Sequence, residues 1–247
     1  MGSRERLKLR ERLRNSESLE EKWVILGYIL KSLIRDKAKI IDGDMLYAGD
    51  FLNFYVDNEN LSPFGEIVVD AYTQKYGLNY ITKVLTVESS GNAFAELVAN
   101  GFDKRKPMIA AKKEIPATLV GEELYSSKAE SYTKREKKGE ENNIFVKKSF
   151  IKPEDRVLII DDFIAKGNAT FALVDIIEQA GAKLAGIVAL ITKDFEGQEG
   201  YKILGGYIKK YNINHKNPAS LNTLVRITDM STTPENIKCG KSPLILN

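Results

Sequence analysis

The stretch from Val157 to Thr170, VLIIDDFIAKGNAT, constrains the fold more than any other part of the chain. Four apolar residues in a row predict a strand covered on both faces, which is how strands sit in a parallel sheet. Thr170 to Ile177 predicts the helix that follows it. Such a unit places its loop at the carboxyl edge of the sheet, where ligands collect. The small or flexible residues Ala165, Lys166, Gly167, Asn168, Ala169 and Thr170 let the backbone approach a ligand closely. Their N–H groups point at it from a helix start, which makes a cradle for a phosphate. Asp161 and Asp162 would repel that anion unless they hold something else. The candidates are hydroxyls of a sugar carrying the phosphate, or a divalent cation, and the pattern points to a phosphorylated sugar. Receiver domains and metal-dependent phosphatases carry similar acidic pairs, so the weight lies in the context. The chain has no Gly-x-x-x-x-Gly-Lys-Ser/Thr and no Gly-x-Gly-x-x-Gly, which argues against a P-loop nucleotidase and a dinucleotide fold.

The rest of the chain alternates in the same α/β manner. Ser18-Leu-Glu-Glu21 has capping-box spacing for a helix containing Trp23, Leu26, Leu30 and Leu33. Ser62-Pro63 starts another, with Ile67, Val68, Ala71 and Tyr72 on its apolar side. Strands are expected at Ile81–Val87, Met108–Ala111 and Leu184–Thr192, the last closing the unit, with a helix at Ala93–Ala99. Between Lys112 and Lys152 short extended pieces are expected around 130–133 and 144–146, antiparallel, with the charged run KREKKGEENN as a mobile excursion between them. Long loops of this kind often serve as lids. With 247 residues, 43% of them hydrophobic, one large domain with appendages can bury a proper core. Lys and Arg total 37 against 34 for Asp and Glu, too even a balance to argue for nucleic acid. Cys239 and His215 each stand alone, which excludes a disulfide framework and an ordinary Cys/His zinc site. No signal peptide and no membrane-spanning apolar run is visible, so a cytoplasmic protein with no membrane partner is expected.

VLIIDDFIAKGNAT resembles the signature of the type I phosphoribosyltransferases, in which a hydrophobic strand, two acidic residues and a loop bind the ribose 5-phosphate of phosphoribosyl pyrophosphate. Within that family the chain is most similar to the bacterial xanthine phosphoribosyltransferases, because GDFLNFYVD, TVESSGNAFA, AAKK, SYTK, AGIVALITKDF and SLNTLVRI recur in the same order. The resemblance implies a mainly parallel twisted sheet with helices on both faces, a small hood and a flexible lid. It sets residues 39–228 apart as the domain, 1–38 as an appended helical segment and 229–247 as a tail. Hypoxanthine-guanine members carry an aspartate three residues after the acidic pair, where this chain has Ala165. That departure agrees with the xanthine group.

The resemblance also implies roles. Asp161 and Asp162 would hold the ribose hydroxyls and compensate developing positive charge, and residues 165–170 would hold the 5-phosphate. Ser89, Ser90, Gly91 and Lys113 would bind the leaving pyrophosphate on a strained loop, and Lys134 would act from a lid over Ser131–Lys134 that excludes water. Asn53 and Lys193 would face the purine base, an amide and an ammonium suited to exocyclic oxygens. Magnesium would be held mainly by substrate oxygens, and members commonly pair as homodimers. Read alone, Asn53 is a cap or turn residue, Ser89–Gly91 a serine-capped turn, and Lys134 a solvated charge. Two rivals remain: a regulator that senses phosphoribosyl pyrophosphate without catalysis, and an adenine or orotate phosphoribosyltransferase. The regulator needs a DNA-binding element, and the basic start offers one convincing helix rather than a winged three-helix pattern.

Overall fold

In the computed structural model, which describes residues 3–42, 45–129, 142–215, 218–230 and 233–244, the chain opens with helices α1 (Ser3–Asn15) and α2 (Leu19–Lys37). Ser18 caps α2 as its spacing predicts, its hydroxyl accepting from Glu21 N at 3.3 Å. The Glu21 carboxylate is engaged elsewhere, accepting from Arg12 Nε at 2.9 Å and from Ser16 Oγ at 2.8 Å. Other arginines of α1 are also paired: Arg6 with Asp36 and with Ser32 Oγ, and Arg10 with Glu59. The apolar side of α2, with Trp23, Leu26, Ile29, Leu30 and Leu33, is buried in the main core, so the N-terminal segment packs with the rest of the fold.

A small hood follows. The antiparallel strands β1 (Lys39–Ile41) and β2 (Met45–Tyr47) lead into a π-turn, Gly49–Asn53, that buries Phe51 and Leu52. Helix α3 (Asn58–Leu61) runs into α4 (Pro63–Tyr76), where proline at the first position needs no hydrogen-bond acceptor. The chain then alternates: β3 (Lys83–Val87), α5 (Asn92–Gly101), β4 (Met108–Ala111), an antiparallel arm of β5 (Leu124–Ala129) and β6 (Asn142–Lys147), then β7 (Arg156–Ile164), α6 (Asn168–Gln179), β8 (Lys183–Lys193), α7 (Gly200–Asn214), β9 (Ser220–Asp229) and β10 (Lys238–Gly240).

One sheet holds six strands in the order β10-β9-β8-β7-β3-β4, all parallel except the edge strand β10. Helices α2, α4 and α5 cover one face, sharing a core with Leu158, Ile160, Val188 and Leu224. Helices α6 and α7 and the β5–β6 arm cover the other, over Leu85, Ile159, Ile187 and Leu221. Among the parallel strands the chain first moves outward from β3 to β4, then returns to β7 on the other side of β3 and continues to β8 and β9. The order therefore reverses between β3 and β7, and crevices for ligands open at such reversals.

The structure corrects two expectations. The unit does not end at Thr192, because α7 and β9 extend the same layered pattern. Gly205 and Gly206 in the middle of α7 hide the helix from its sequence, and burial of Leu204, Ile208 and Tyr211 overrides their low propensity. Strand β5 lies at Leu124–Ala129, and the expected piece at 130–133 is outside the described residues. Strand β7 also runs on through both aspartates to Ile164, with Asp161 paired to Ala189 of β8.

Replacing Ser18 with Ala removes the α2 cap and is expected to lower stability by roughly 0.5–1 kcal/mol, the low end of cap effects because the bond is long. Ser18→Asp should retain most of it. Urea midpoints at constant slope check both.

Candidate functional site

At the sheet's point of reversal the turn after β3 and the start of α6 are each bonded to an aspartate of β7. After β3, residues Glu88 to Gly91 turn into α5, and the Glu88–Ser89 peptide is cis. After β7, residues 165–167 turn into α6. Ser90 Oγ donates to Asp162 Oδ1 at 2.9 Å, and Thr170 Oγ1 donates to Asp161 Oδ2 at 3.4 Å. Thus Ser90, Asp161, Asp162 and Thr170, named from sequence, come together here.

Helices α5 and α6 both begin at this place. The N–H groups of a first helical turn have no acceptor within their own helix, so each start offers donors and a positive dipole end. Glycine stands before each for a different reason. Gly167 has φ 86°, a left-handed conformation that other residues adopt at a cost. At Gly91 a side chain would run into Thr86 Oγ1, which is buried in β3. The 165–167 turn is pinned from behind by α7, where Gly200 N donates to Ala165 O at 2.9 Å. Lys166 and Asn168 are half-buried on the turn, and Ala169 packs against the second core.

Burial and the adjacent Asp162 carboxylate push the Asp161 carboxyl well above its ordinary value. Hydrogen bonds from the N–H groups of Phe163 and Asp162 oppose that rise without cancelling it. Asp162 itself is 3% exposed.

Beside the Ser89–Gly91 turn lies a charged cluster. Glu88 Oε2 accepts from Lys112 Nζ at 2.5 Å, and Glu88 Oε1 accepts from Lys113 N at 3.1 Å. Burial alone would raise the Glu88 carboxyl, but these hydrogen bonds and charges outweigh it and hold it below its ordinary value. Sequence reasoning passed over Glu88. A glutamate before a Ser-Ser-Gly turn looks like a solvated charge, and only the short step to two lysines after the neighbouring strand could have marked it.

Lys193 closes β8 and is 4% exposed, with Nζ 5.4 Å from the ring centre of Phe163 and 5.9 Å from that of Phe195. Both rings pack against the core that also holds Phe51 and Leu52 of the hood. Asn53 ends the hood's π-turn, and its side chain lies outside the description. Lys134 and the expected lid from Ser131 onward lie outside the described residues. Among the described residues no three His, Cys, Asp or Glu side chains are grouped to hold a metal.

A family model described as phosphoribosyl transferase domain matches residues 62–218. The chain is 40% identical over 176 residues to a xanthine phosphoribosyltransferase of Oenococcus oeni, covering 71% of this chain and 79% of that one. It is 38% identical over 178 residues to a xanthine phosphoribosyltransferase of Shouchella clausii, covering 72% and 83%. Among solved structures, an adenine phosphoribosyltransferase of Giardia lamblia complexed with 9-deazaadenine has a TM-score of 0.57 at 21% identity, covering 81% of this chain and 98% of that one. At that identity the likeness concerns the fold alone.

The raised Asp161 carboxyl has a pH signature. Below about 3.9, the ordinary aspartate value, folded and unfolded chains both keep the proton. Above it the unfolded chain releases the proton while the folded one retains it, so stability falls as pH rises toward the folded value. Asp161→Asn removes this slope. The variant should match the wild type near pH 3.5 and exceed it increasingly toward neutral pH, read as urea midpoints across pH.

Proposed function

Because the chain belongs to the phosphoribosyltransferase family, we propose that it transfers 5-phosphoribosyl from phosphoribosyl pyrophosphate to a 6-oxopurine, xanthine favoured, for purine salvage. The products are the nucleoside 5'-monophosphate and pyrophosphate. The observation that carries the reading is the Ser90–Asp162 bond, which ties the turn after β3 to the acidic pair of β7 at the sheet's reversal.

In the transfer a purine nitrogen bonds to ribose C1 as the C1–O bond to pyrophosphate breaks, through an oxocarbenium-like state. Little covalent chemistry falls to the protein; positioning and charge stabilisation do the work. The 165–170 turn and the start of α6 bind the 5-phosphate through N–H groups and the Thr170 hydroxyl. Asp161 and Asp162 accept the ribose hydroxyls. Positive charge that develops on the ribose is stabilised by carboxylate charge at the acidic pair. Ser89, Ser90, Gly91 and Lys113 take the leaving pyrophosphate. Lys134, outside the described residues, is assigned as a further cation for the transferring group.

A magnesium ion suits this donor set only if substrate oxygens hold most of it, since both carboxylates already accept from protein hydroxyls. Bound there, it would offset charge on the departing pyrophosphate. For the base, Lys193 at the end of β8 donates to exocyclic oxygen, and Asn53 adds an amide from the hood. An ammonium would meet the amino group of adenine unfavourably. The regulator is disfavoured because α2 is buried in the core and offers no free recognition helix. We place the enzyme in the cytoplasm as a homodimer; no described helix is long and apolar enough to cross a membrane.

Two measurements test this. Replacing Asp161 and Asp162 together with Asn is expected to lower turnover on the order of a hundredfold or more while the chain still folds. Near-normal pyrophosphate release by that variant would remove the acidic pair from the site. Specificity constants should rank xanthine first, guanine next and adenine last, with roughly 1–3 kcal/mol lost for each buried group left unpaired. Lys193→Ala should weaken xanthine use and spare the KM for phosphoribosyl pyrophosphate; adenine winning in the parent would overturn the base assignment.

A further inference from the structure

An acidic residue beside a pyrophosphate-binding turn is unfavourable unless it does something the turn requires, and Glu88 sits immediately before Ser89. Its backbone is fixed, since Glu88 N donates to Ala111 O at 3.0 Å and so prolongs the β3–β4 ladder. Its carboxylate then divides between two consecutive lysines. One oxygen takes the Lys112 ammonium, and the other takes only the main-chain N–H of Lys113, whose side chain stays exposed. Lys112 is fastened from the far side as well: Lys112 N donates to Phe145 O at 2.9 Å, and Phe145 N donates to Lys112 O at 2.8 Å. The result is a rigid junction of the turn after β3, the end of β4 and the foot of the arm.

We propose that Glu88 is a positioning residue that fixes the Lys113 backbone against the Ser89–Gly91 turn, so that the Lys113 ammonium is held for the leaving pyrophosphate. This rests on the transfer reading above. Lys112 has a different part: its ammonium cancels the Glu88 charge, so that the carboxylate orients Lys113 without repelling the anion. The two lysines of the AAKK segment are therefore not equivalent, although the sequence writes them alike.

Charge alone and positioning predict opposite signs. Removing a carboxylate leaves the site more positive, which by itself tightens anion binding. Losing the orientation of Lys113 weakens it. The experiment is calorimetric titration of inorganic pyrophosphate into the full chain and its variants, together with KM for phosphoribosyl pyrophosphate and for purine, and thermal midpoints. Glu88→Ala is expected to weaken pyrophosphate roughly tenfold or more, the size of one lost hydrogen bond to a charged group. KM for phosphoribosyl pyrophosphate should rise in parallel while KM for the purine holds. Glu88→Gln keeps an acceptor for Lys113 N and frees the Lys112 ammonium, so it should bind pyrophosphate at least as tightly as the parent. Lys113→Ala should weaken binding in the parent and add little in the Glu88→Ala background, because the two act through one contact.

Tighter binding by Glu88→Ala would overturn the proposal, as would a lower thermal midpoint with unchanged affinity. A tenfold loss in Glu88→Gln would also overturn it, by shifting the effect to the Lys112 pair. Failure of the wild type to turn over any purine would sink the transfer reading instead, and the pyrophosphate titrations would still decide the role of Glu88.

Discussion

Two adjacent carboxylates placed within the central strand of a parallel sheet are the constraint on which the site depends. With Asp162 buried and Asp161 half-buried, the strand has little water to offer an ionised group there, and isolated burial of such a charge costs several kcal/mol or leaves the group protonated. The chain meets this in two ways. Hydroxyls from the turn after β3, Ser90, and from the first turn of α6, Thr170, reach the two carboxyls, and Asp161 shifts toward its neutral form. Because the hydroxyls come from different elements, satisfying the acids also fixes the spacing of the two loops. An unfavourable placement thereby becomes a template for the geometry around it.

A site for an anion here would not draw on a basic protein. The formal net charge is only +3, and several arginines of the basic start are paired at home. What it would draw on is local arrangement: two helix starts at one end of the sheet, turns small enough for close approach, and the exposed Lys113 beside the paired Lys112. The same economy of charge appears at Lys193, where a buried ammonium lies between two aromatic rings rather than against bulk solvent.

What could be read from the sequence is what local periodicity encodes. The β7–α6 unit, the start of α4 at Pro63 and the Ser18 cap announce themselves within a few residues. The acidic pair, Ser90 and Thr170 were also legible, because their residue types fit one chemistry and their order resembled one family. The missed parts depend on partners far along the chain. β9 carries Ser220, Asn222 and Thr223 in its buried run, and the polar groups are tolerated because Ser220 meets the Tyr72 hydroxyl and Asn222, while Thr223 donates to Val225 O. Strand β5, LYSSKA, has no strong pattern of its own and is a strand through its pairing with β6. Two aspartates looked like the end of β7, although the ladder to β8 carries on past them.

The core joins the first part of the chain to the last. Trp23 Nε1 donates to Ser242 O at 2.9 Å across 219 residues, and α2 shares a core with Leu224, Val225 and Ile227 of β9. A ribosome delivers α2 long before β9. At about 5–20 residues per second, the apolar stripe of α2 waits roughly 10–40 s for the strand that covers it. During synthesis that helix is therefore the surface a chaperone would find, and the arrival of β9, the last of the parallel strands, is what releases it.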